Sequence, residues 1–152
     1  MALRAWKLNA DRTGNFFSGL SEEQLLQEIA PGKNRVFYLW GHLTAINDAL
    51  IPILGFGARL HPELDTMFVS NPDRTLPKTI SGAELKHIWN EINDVLWNSF
   101  SKLSAAEWLE KHASVSDEDF AREPQRNRYT ILLNRTSHLA YHFGQAILTR
   151  GR

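Results

Sequence analysis

The chain has 152 residues, enough for one domain with a real core, and 43% of them are hydrophobic, an ordinary share for a globular protein. Seventeen basic residues balance seventeen acidic ones, so the broad positive field of a nucleic-acid or anionic-membrane binder is missing. There is no cysteine, which excludes disulfides, thiolate metal ligands and a cysteine nucleophile together. The N-terminal MALRAWKLNADR lacks an apolar signal core, and no apolar run is long enough to span a bilayer. The expectation is a single cytoplasmic domain over residues 1–152, acting on neither nucleic acid nor membrane.

Four segments carry helical periodicity. Leu3, Trp6, Ala10, Thr13, Phe17 and Leu20 recur at three- and four-residue steps and place a stripe on a first helix, which Gly14 weakens. Ser21 with Gln24 then has the spacing of a capping box, so a short helical turn is expected there. The second long helix is predicted from about Asn34, as its cap, to Leu54, with Val36, Leu39, Leu43, Ile46 and Leu50 on its stripe. Pro52 and Gly55 end it.

From Gly55 to Ile80 the chain holds three prolines and little periodicity, and it reads as a long irregular crossover with no strand. Ser81 and Glu84 open the third helix with a capping box, and Leu85, Ile88, Ile92, Val95 and Leu103 keep its period. Ser104 with Glu107 predicts another short turn, followed by a polar, acidic connection to Pro124. The fourth helix is predicted from roughly Gln125 to Thr149, with Leu132, Leu139, Phe143 and Ala146 on its stripe and Gly151 beyond its end. Four long amphipathic helices without strands give an all-α four-helix bundle, and connections of this length permit parallel neighbours.

Chemistry concentrates in the histidines. His138 and His142 are four apart on the fourth helix and share a face, with about 5–6 Å between Cβ atoms, a spacing that can chelate one ion. Two imidazoles need a third donor, and His42 inside the second helix is the candidate. If those two helices run antiparallel, the three histidines lie at one level. The competing reading is two partly exposed or hydrogen-bonded histidines. Against it, HLAYHFGQ sits hard on the apolar stripe, where both ring nitrogens of a histidine need partners.

GLSEEQL, APGKNRVFYL, the YLWGHLTAINDAL around His42 and the closing NRTSHLAYHFGQAIL together resemble the DinB-like superfamily of metalloenzymes, which includes bacterial thiol transferases. The likeness spans essentially the whole chain. Its most specific elements are the Gly-His-Leu context of His42 and the His-x-x-x-His-x-x-Gln ending. The resemblance implies an up-down-down-up four-helix bundle, a divalent metal on His42, His138 and His142, and a homodimer. It also implies a small-molecule substrate, foremost a low-molecular-weight thiol, supplied from outside a chain that has no cysteine.

Three neutral imidazoles leave a divalent ion's charge uncompensated and a coordination position open, a catalytic rather than a structural pattern. Zinc or nickel is expected ahead of iron or manganese, and both thiol transfer and small-molecule hydrolysis fit such an ion. A metal-binding or stress-response module without turnover is the alternative. Tyr38, Asn134 and Gln145 lie within a turn of the histidines and are candidates to orient an imidazole, though packing or surface duty competes for each. Asp48 is expected to point away from the site as an external charge, and Arg35 to be a solvated arginine rather than an anion binder. His61, His87 and His112 are assigned no metal, and Trp6, Trp40, Trp89, Trp97 and Trp108 are expected to serve mainly as aromatic core.

Overall fold

The computed structural model describes residues 1–149. Among them there are eight helices and no strand. The long ones are α1 (Ala2–Ser18), α3 (Val36–Ile53), α5 (Gly82–Phe100) and α8 (Arg128–Ile147); the short ones are α2 (Glu22–Leu25), α4 (Leu64–Phe68), α6 (Ala105–Trp108) and α7 (Asp117–Arg122). Gly151, read as the stop signal of the last helix, lies outside the described residues.

Capping explains most of the boundaries. Ser21, Ser81 and Ser104 each accept the backbone N–H of a Gln or Glu three residues on, which returns its own side chain to the serine N–H. The start of α3 differs from expectation, because its cap position is Arg35, not Asn34. The Asn34 carbonyl is engaged by the Ile29 N–H, and Arg35 is held extended by Asp73, which takes its backbone N–H at 2.7 Å and its guanidinium at 2.6 Å. Arg35 is therefore an ion-paired, largely covered residue and not a solvated one. Helix α5 stops at Phe100, short of Leu103, which packs against the core from the turn that follows.

Two short helices escape the periodicity argument. α7 is capped by the Ser116 side chain on the Asp119 N–H and opens with three acidic residues, which suit a helix N-terminus. α4 sits inside the crossover read as irregular, and tertiary contact fixes it: Leu64 and Phe68 are buried, and Asp65 holds Arg59.

That crossover also corrects the reading of Asp48. Its side chain is fully buried, where it accepts the N–H groups of Leu60 at 2.8 Å and His61 at 3.1 Å and the Arg59 Nε–H at 2.9 Å. A buried carboxylate is tolerable only when its lone pairs are matched, and here the crossover backbone supplies the donors. Asp48 is the internal post on which the crossover is hung.

The long helices enclose one apolar cluster. The Trp6 ring near the beginning of α1 meets Phe100 at the end of α5 at 4.8 Å, an edge-to-face pair. Gly14, further along α1, faces Trp89 of α5; a Cβ there would lie 2.5 Å from the indole nitrogen, so the glycine that weakens α1 is what lets α5 approach. Phe17 at the end of α1 stacks on Trp40 near the start of α3 at 5.5 Å, and Phe16 meets Phe143 near the end of α8 at 5.7 Å. α3 packs on α5 and α8, and α1 on the same two helices. No helix among the described residues is long and apolar enough to cross a membrane.

Candidate metal centre

His42 projects from the second turn of α3, and His138 and His142 from successive turns of α8. The three imidazoles meet in the α3–α8 interface, each partly buried, with one ligand atom of each within 4.8 Å of the others. Their Nε2 atoms converge: His138 Nε2 lies 3.4 Å from that of His42 and 3.1 Å from that of His142. Three nitrogens bound tetrahedrally at 2.0–2.1 Å to one ion stand about 3.3 Å apart, which the two separations made by His138 match.

The other ring nitrogens explain the orientation. His42 Nδ1 is 2.9 Å from the Phe68 carbonyl, which can only accept, so Nδ1 carries the proton and Nε2 presents a lone pair. His142 Nδ1–H likewise donates to the side-chain oxygen of Gln145 at 2.8 Å. Two lone pairs thus face the His138 nitrogen at contact distance. Neutral imidazoles so arranged share a single N–H at most among three Nε2 atoms, whereas one cation between them satisfies all three.

Burial and neighbouring charge disfavour protonation of His138 and His142. Burial, then the charges of His142, His42 and Arg135, push His138 down to about 4. His142 is also lowered, chiefly by burial, with the Gln145 hydrogen bond working the other way. Neutral imidazole is the form that ligates. No carboxylate joins the cluster among the described residues, so nothing in it offsets the charge of a divalent ion.

Of the three candidates to orient an imidazole, Gln145 bonds His142, whereas Tyr38 and Asn134 hold none of the three rings. The Tyr38 hydroxyl donates to the Asn71 carbonyl at 2.8 Å and its ring lies 6.0 Å from that of Phe68, so it pins the crossover whose backbone in turn orients His42. Asn134 is exposed. The acceptor that periodicity did not reveal is the Phe68 carbonyl, and its presence depends on Gly41. A Cβ at Gly41 would lie 2.2–2.4 Å from the Phe68 ring, so only glycine lets that ring settle on α3 and bring its carbonyl to the neighbouring histidine. The Gly-His pair in the sequence carries that signal.

The remaining histidines stay apart from the cluster. His61 lies between Glu63 and Glu91, His87 is exposed, and His112 is buried with an unpartnered Nδ1 among the described residues. Trp6, Trp40, Trp89 and Trp108 are buried in the apolar core, and Trp97 packs against it.

No protein-family model matches the chain, and no curated protein matches it. Among solved structures it is similar to a conserved protein from Enterococcus faecalis, with a TM-score of 0.67 at 16% identity over 98% of this chain and 92% of that one. At that identity the likeness shows a shared helical fold.

Proposed function

We propose that this chain is a DinB-like metal-dependent enzyme, a four-helix bundle in which His42, His138 and His142 hold one divalent ion for chemistry on a small molecule. The favoured reaction is transfer of a low-molecular-weight thiol to an electrophile. The single observation carrying the metal is the convergence of the His42 and His142 Nε2 atoms on that of His138, at 3.4 and 3.1 Å, with the opposite nitrogens of two rings already committed.

The up-down-down-up order is supported by which ends meet. The beginning of α1 lies on the end of α5, the end of α1 on the start of α3 and on the last turns of α8, and Arg128 at the start of α8 beside Gly55, which follows α3. Down-running α3 and α5 with up-running α1 and α8 satisfy all four contacts, and the crossover then returns the chain along the bundle. The same order sets α3 and α8 antiparallel and brings His42 level with His138 and His142.

A bound divalent ion would supply Lewis acidity and lower the pKa of a coordinated thiol or water towards neutrality. The protein's part is to aim three neutral nitrogens and to fix two of the rings through Phe68 and Gln145. Among the described residues it also places no carboxylate in the cluster that would neutralise the ion. An all-imidazole set suits zinc or nickel better than the harder manganese. With no cysteine in the chain, the sulfur nucleophile comes from the substrate.

Elemental analysis of protein purified without a histidine tag tests the centre. Wild type is expected to carry one divalent ion and His138→Ala none. A metal-free wild type, or equal metal in both proteins, overturns the proposal. Metal without consumption of any thiol or ester across a substrate screen would leave a binding module and remove the enzyme.

A further inference from the structure

Four arginines among the described residues are substantially withdrawn from solvent: Arg35, Arg59, Arg128 and Arg135. Three of them are paired, Arg35 with Asp73, Arg59 with Asp48 and Asp65, and Arg128 with Glu110. Arg135 alone of the four has no acidic partner among the described residues, and its Nε–H, like that of Arg128, is buried with no acceptor. A guanidinium is not easily neutralised, so an unpaired, half-buried one is a standing cost to the fold unless something anionic visits it.

Its position says what visits. Arg135 precedes His138 by three residues and His142 by seven on α8, so all three side chains leave the same side of the helix, with Arg135 one turn towards the helix start. The guanidinium is close enough for its charge to help depress His138. Burial is the sole cause of Arg135's own lowered pKa, with no carboxylate opposing it. Beside a cluster of three imidazoles with no acid among the described residues, Arg135 adds a positive group about one helical turn from where a ligand would meet the histidines.

We infer that Arg135 is the anion-binding residue of the site, and that the small molecules it accepts carry a carboxylate or comparable oxyanion a few bonds from the group presented to His42, His138 and His142. This rests on the metal reading above and narrows its substrate class: among thiols, acidic ones are preferred to neutral ones of the same shape. The planar fork of the guanidinium matches a carboxylate with two parallel hydrogen bonds, which a lysine at the same place would replace only as a point charge.

The test uses cobalt-loaded protein, whose visible spectrum reports ligands without turnover. It is titrated with 3-mercaptopropionate and, separately, with its uncharged isostere 3-mercaptopropionamide. Wild type is expected to bind the acid about tenfold or more tightly than the amide, the scale of a charge-assisted hydrogen-bonded pair. Arg135→Met should abolish that preference by weakening the acid alone, and Arg135→Lys should keep part of it. Unchanged cobalt stoichiometry and circular dichroism show that each variant is folded. Equal affinities in wild type, a preference that survives Arg135→Met, or no spectral response to the acid overturns the inference while leaving the metal site standing. Failure of wild type to take up cobalt overturns the metal reading and this inference with it.

Discussion

Two histidine environments in this chain are built in opposite senses. At the α3–α8 interface three imidazoles face one another with no carboxylate among the described residues, and His138 is driven down to about 4 by burial and by its positive neighbours. At the edge of the crossover a single His61 has a carboxylate on each ring nitrogen, Glu63 at 2.9 Å and Glu91 at 3.1 Å. Burial opposes its charge there, but hydrogen bonds to Glu91 and Glu63 prevail and its pKa is raised. The first environment keeps imidazole neutral with a nitrogen to spare. The second uses both nitrogens and favours imidazolium. Histidine count therefore says little about metal binding; what surrounds the second nitrogen decides it.

The largest expected effect breaks the first environment without touching a ligand. Gly41→Ala would place a methyl 2.2 Å from the Phe68 ring, displacing it and withdrawing the carbonyl that orients His42. Loss of such a supporting hydrogen bond typically costs about 10–100-fold in metal affinity. Alanine is also a better helix former than glycine by roughly 1 kcal/mol, so stability is a poor readout and zinc titration calorimetry the proper one. His61→Gln should leave the zinc affinity where it is. An unaltered affinity in Gly41→Ala would mean that the Phe68 carbonyl does not hold His42.

The next effect sharpens the contrast through pH. In the metal-free protein His138 titrates lower when folded than unfolded. Between the ordinary value near 6.5 and about 4 the unfolded chain therefore takes up a proton that the folded one refuses. Its contribution to stability is present above about 6.5 and fades as the pH falls through that window. His61 has the mirror-image behaviour. With its folded pKa raised, its contribution is complete below about 6.5 and is lost as the pH rises through the folded value. Urea unfolding of metal-free protein across this range should show His138→Gln flattening the acid limb and His61→Gln the alkaline one. Both variants flattening the same limb would refute the contrast.

Much of this was legible in the sequence, for reasons that also explain what was not. The apolar stripes and three Ser-x-x-Glu/Gln boxes encode the long helices and two of the short ones locally. The i, i+4 spacing of His138 and His142 is likewise local, and Gln145 follows from the same geometry. What needed three dimensions came from the crossover. Asp48 reads as a surface charge until three donors from residues 59–61 close over it. α4 exists because Leu64 and Phe68 find the core. The acceptor for His42 is a backbone carbonyl 26 residues away, and no side-chain pattern announces a carbonyl. Arg135 was silent for another reason: an arginine on a helix is ordinary, and only the pairing of the other covered arginines among the described residues makes its lack of an acidic partner meaningful.

The smallest effect concerns one half of the His61 clamp. Glu91 is 44% exposed in its side chain, and the pair it forms with His61 is open to water and salt. Glu91→Gln is therefore expected to lower stability by less than about 1 kcal/mol at low ionic strength, and by less still in 1 M salt, where screening is nearly complete. Metal content should not change. The sensitive readout is the His61 titration followed by NMR. Removing the Glu91 charge takes away one of the two carboxylates that favour imidazolium, so the His61 midpoint should move down towards the ordinary histidine value while His138 stays low. A His61 midpoint that does not move would mean that Glu63 alone sets its charge, and that α5 contributes nothing to the electrostatics of the crossover.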